Sequence, residues 1–173
     1  MRDAFWTFLD YREYFQQGVL IAVTLFALRK GAGPERATAL ALLYLLVADY
    51  AYHAIFGPGM KLRTMDVGHA VIDATACFAM VAIGTTANRV YTLWIGAFQI
   101  IAVMGHLARW LESEITPLAY LFMYVVPSYF QIALLATGTG LHLRRQRRLG
   151  KYRSWQRSLH RSPAIAPTGR PGD

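Results

Sequence analysis

Four short stretches carry residues able to do chemistry, and each has the spacing of one helix face. Asp66, His69 and Asp73 stand at i, i+3 and i+7, which puts all three on one side of an α-helix. Asp49 and His53 are four apart, one helical turn on one face. His106 shares a face with Gln99, seven residues earlier, and with Trp110. Tyr124, Ser128 and Gln131 line one side of a further segment beside Pro127, a residue that loosens a helix and frees a carbonyl.

Imidazole together with carboxylate is a donor set for zinc, iron, manganese or copper, and a carboxylate bonded to a ligating histidine is the usual outer partner. On this reading His53, His69 and His106 are ligands, and Asp49, Asp66 and Asp73 are ligands or orient the imidazoles. Asp49, Gln99, Tyr124, Ser128 and Gln131 complete a polar pocket for an ion or a small polar ligand. A haem held between two of the histidines is a variant. No HExxH or comparable tight motif is present, so metal or haem rests on grouping alone.

Two other readings use the same residues. Membrane pumps relay protons through Asp and His, but a relay needs polar groups through the whole span. The second is structural: hydrogen bonds between helices, with Asp66 capping a helix start and His53 and His106 at headgroup level. No nucleophile–base pair or phosphate loop argues for an enzyme.

The elements that position these residues follow from the apolar blocks. A chain of 173 residues has room for one domain, and 55% of it is hydrophobic. The apolar residues come in blocks of about 20, long enough to cross a bilayer and too uniform for the strands of a barrel. The expectation is an all-α polytopic membrane protein, with five transmembrane helices in a compact bundle. They lie at about 14–29, 36–56, 65–83, 90–111 and 118–143, making a membrane domain over 1–143 and a basic, partly disordered tail over 144–173. Residues 2–13 mix aromatics with charges of both signs and read as an N-terminal interfacial helix, or as the start of one long helix running to 29. Gln16 and Gln17 lie near an interface or face other helices. The lone Cys77 makes no intrachain disulfide and no cysteine-rich metal site.

The charge of +8 is uneven, with nine of the eighteen Lys and Arg residues after His142. Basic residues favour the cytoplasmic side, so the N-terminus is expected outside and the C-terminus in the cytoplasm of a bacterial inner membrane. Every acid and histidine of helices 2, 3 and 4 then falls in the outer half. The tail is expected to attract anionic lipid, and nucleic acid is not an expected partner. Three functions fit: a binding protein for a metal, haem or small polar ligand; an accessory or structural subunit with a membrane protein partner; and a small holin-like pore.

Overall fold

The computed structural model describes residues 2–57, 67–111, 117–150 and 154–155; side chains are described from Tyr11 onward, except at 117, 118, 120, 121 and 124. The chain is all-helical, with no strand among the described residues. Five helices follow one another: α1 (Arg2–Lys30), α2 (Gly33–Phe56), α3 (Val67–Thr86), α4 (Val90–Leu111) and α5 (Pro117–Leu149). Among the described residues three helices, α2, α3 and α4, are long and apolar enough to cross a membrane, rather than the five expected. In α1 the apolar stretch Val19–Leu28 is short and interrupted by Thr24, and α5 interleaves its apolar residues with Ser128, Gln131, Thr137 and Thr139.

Several expected boundaries move. The separate N-terminal interfacial helix does not exist, because residues 2–30 form one continuous helix of 29 residues. No proline interrupts that stretch to break its ladder of hydrogen bonds. At the other end α5 runs on to Leu149 and takes in Arg144, Arg145, Arg147 and Arg148. Arginine, glutamine and leucine favour helix, so the stop comes at Gly150 (φ 71°), whose N–H donates to the Gln146 carbonyl at 3.0 Å.

The helices close a ring in chain order. Each packs on the next, α1 packs back on α5, and α2 also touches α5 across the ring. The α3–α4 hairpin is tight because Gly84 lies against the Thr92 carbonyl, where an added Cβ would sit 3.1 Å from the oxygen. Small residues at such crossings let helix backbones approach. One half of the ring is filled by an apolar core of Ala27, Ala39, Ala41, Leu42, Ala76, Met80, Ile95 and Leu135.

The outer surface is apolar, with Leu40, Phe78, Leu93, Ile101 and Phe130 exposed, while Glu35, His69, Asp73, Arg89, Gln99, His106 and Gln131 are buried. This inverts the arrangement of a protein in water and matches one surrounded by lipid.

Helix α2 starts earlier than expected, with Pro34 in its first turn, a position where the missing N–H costs nothing. The shift carries Glu35 inside the bundle. Its Oε2 accepts from the Ala32 N–H at 3.1 Å and its Oε1 accepts from Arg89 Nε at 3.2 Å, with the Glu35 side chain fully buried. The end of α2 expected to hold no acid therefore holds a buried ion pair joining α2 to the start of α4. Removing one partner strands a buried charge, at a cost of about 3–5 kcal/mol. Arg89→Ala should lower the thermal midpoint of detergent-solubilised protein strongly, while Glu35→Leu with Arg89→Met restores most of it. A stable single variant would show that the pair is solvated.

Candidate metal centre in a polar cavity

Above the apolar core the ring opens into a cavity of about 470 Å3, in the half where α1 begins and α2 ends. All five helices line it: Gln16 and Gln17 from α1, Asp49 and His53 from α2, His69 and Asp73 from α3, Gln99 from α4, and Ser128 and Gln131 from α5. The glutamines of α1 thus face other helices. Gln16 Nε2 donates to Ser128 Oγ at 2.6 Å, and Tyr50 Oη donates to Gln17 Oε1 at 2.7 Å.

Two groups of polar side chains stand on the wall. The first joins α2 to α3. Asp49 Oδ1 lies 3.0 Å from His69 Nε2 and 3.7 Å from His53 Nε2, and one donor atom from each of the three falls within 4.8 Å of the others. Local structure sets this geometry. Gly57 ends α2 at a positive φ (87°) that glycine adopts without strain, its N–H donating to the His53 carbonyl at 3.0 Å. Its own carbonyl lies 3.3 Å from His53 Nδ1. A proton on Nδ1 donated to that carbonyl leaves the Nε2 lone pair aimed toward Asp49. Tyr52 stands edge-on to His69 with ring centroids 4.8 Å apart. That ring fits only because residue 68 is glycine; a Cβ there would fall 2.1 Å from Tyr52 Cε2.

The second group joins α3, α4 and α5. Asp73 Oδ1 accepts from Gln99 Nε2 at 2.8 Å, and Asp73 Oδ2 lies 2.8 Å from His106 Nε2. Gln99 Oε1 accepts in turn from Gln131 Nε2 at 2.8 Å, and the same amide reaches the Ile95 carbonyl at 3.3 Å. All four side chains are buried. The single pocket expected from the sequence is therefore two linked groups: Asp49, His53 and His69 converge, and His106 is held by Asp73. The split arises because His69 and Asp73 lie one turn apart on α3; the first meets the end of α2, the second meets α4. Ser128 lines the cavity. Asp66 and the Tyr124 side chain lie outside the described residues.

The sequence carries little sign of the supporting roles of Tyr52, Gly57 and Gly68. Gly57 alone left a trace, as the first glycine after the apolar run of α2.

Comparison with protein-family models, with curated proteins and with solved structures finds no match to this chain. The geometry of the cavity is what bears on function.

Asp73→Ala leaves the Gln99 and His106 donors buried without their acceptor, at about 1–3 kcal/mol for each orphaned group. Asp49 is one-third exposed, so water can replace it. Thermal unfolding in detergent should therefore rank Asp73→Ala well below Asp49→Ala. Equal midpoints would remove Asp73 from its place as the hub of the network.

Proposed function

We propose that this chain is a five-span integral membrane protein that binds one divalent first-row metal ion through His53, His69 and Asp49. The observation that carries the reading is the convergence of two imidazoles on one carboxylate oxygen at a cavity wall. In a tetrahedral site with bonds of about 2.0–2.1 Å, donor atoms stand about 3.3 Å apart. The two Asp49–histidine separations, 3.0 and 3.7 Å, bracket that value. The carbonyl behind His53 matches the outer partner that fixes the tautomer of a ligating histidine.

Two nitrogens and one oxygen suit zinc, ferrous iron or manganese. Three protein ligands leave a position open toward the cavity, the pattern of sites that take up a small molecule rather than structural ones. Ser128, Gln99 and Gln131 supply the polar wall for that molecule. Haem fits less well than an ion, since the His53 and His69 rings pack 5.0 Å apart with no slot for a macrocycle between them. A pore fits less well too, because the apolar core closes the ring beneath the cavity.

Ring closure supports the five-span reading: α1 and α5 turn Gln16, Thr24, Ser128, Gln131 and Thr139 inward and complete the ring with α2, α3 and α4. Arg29, Lys30, Arg36 and Arg144–Arg148 gather at the end opposite the cavity. Positive charge favours the cytoplasmic side, so the cavity faces outward, the N-terminus lies outside and the C-terminus inside.

Elemental analysis and titration calorimetry of the purified, chelator-stripped protein test this directly. One equivalent of zinc or ferrous ion is expected. Asp49→Asn, His53→Ala and His69→Ala should each weaken it by more than the roughly 10–100-fold typical of an outer partner, while His106→Gln retains it. Affinity should fall on acidification, because protons compete with the ion for both imidazoles. Protein that takes up no ion above background, or equal loss in His106→Gln, overturns the proposal.

A further inference from the structure

The end of the ring opposite the cavity holds a second concavity, about 610 Å3 in volume. Its wall comes from the last turn of α1 (Arg29, Lys30), the first turn of α2 (Arg36) and the α5 face carrying His142 and Gln146. Arg29, Lys30 and Arg36 are exposed. The nearby carboxylate, Glu35, is fully buried and bonded to Arg89 and to the Ala32 N–H, so it does not offset their charge. Three cations therefore converge on one hollow, with an amide beside them.

Its depth and flanks narrow the occupant. The pocket lies at the Gly33 end of α2, a helix able to cross a membrane, and so at the level of the bilayer surface. Leu25 and Phe26 precede Arg29 by one turn, and Leu40 follows Arg36 by one turn; all three are exposed. On each helix the cation and the apolar side chain share a face. A phosphate with acyl chains attached matches this sequence of cations above an apolar wall, and basic pockets between helices at a membrane face bind such headgroups. We propose that this pocket holds the phosphate of an anionic phospholipid, with its chains along Leu25, Phe26 and Leu40. The site rests on the membrane placement above and not on the metal ion.

The full chain in neutral detergent, examined by native mass spectrometry and thermal unfolding, provides the test. Phosphatidylglycerol should stay bound and raise the midpoint, and phosphatidylcholine should do neither. Arg29→Gln with Arg36→Gln should weaken retention about tenfold or more. Arg147→Gln with Arg148→Gln removes the same charge outside the pocket and should leave retention unchanged. Equal weakening by both pairs, or equal binding of phosphatidylcholine, overturns the site. If millimolar inorganic phosphate alone matches the phosphatidylglycerol shift, the pocket recognises a soluble phosphate and the lipid assignment falls. A chain that stays soluble without detergent would instead overturn the membrane placement, a result distinct from loss of lipid selectivity.

Discussion

The Asp73 carboxylate is the group on which the bundle turns. A charge taken out of water is costly unless hydrogen bonds replace the lost solvent. Both Asp73 oxygens are engaged, one by Gln99 and one by His106. Satisfying them fixes the rotation of α4 against α3. The Gln99 amide then has only its oxygen left to offer inward, and Gln131 supplies the donor, which sets α5 as well. One buried acid thus aligns three helices whose outer faces, being largely apolar, carry little directional information of their own.

Glu35 does the corresponding work at the other end, tying the first turn of α2 to the start of α4 through Arg89. Between these two polar layers lies a core built largely of alanine, with Leu42, Met80, Ile95 and Leu135. The apolar core closes the ring between the two layers, and the ring opens into the larger lined cavity at the Asp73 end. The cavity follows from that difference: helices that meet closely through small residues below cannot also fill the space above.

The Asp49, His53 and His69 group stands apart from this scaffold in one respect. Asp73 and Glu35 are buried and fully engaged, whereas Asp49 and His53 remain about one-third exposed to the cavity. His69 is as buried as the scaffold groups, while Asp49 and His53 can be reached from the cavity. Their positions are still rigid, because the Gly57 cap sits behind one imidazole and the Tyr52 ring stands against the other.

Helical periodicity and apolar blocks are local properties, so the sequence by itself determined that the chain is all-helical, roughly where five helices run, and that Asp49 shares a face with His53 and Gln99 with His106. It also placed these groups at one level of the bundle. Periodicity says nothing of how one helix is rotated against its neighbour, and for that reason only the tertiary structure decided that His69 turns to Asp49 while His106 turns to Asp73. The ends of α4 were read at 90 and 111 with no proline or glycine to mark them, whereas the start of α2 was misplaced beside Gly33 and Pro34. Pro34 drew Glu35 into the interior, and Gly150, not the first arginine, ended α5, because charge alone does not stop a helix whose residues favour it. The buried Glu35–Arg89 pair could not be read from the sequence, since its partners lie 54 residues apart and nothing short of the closed ring brings them together.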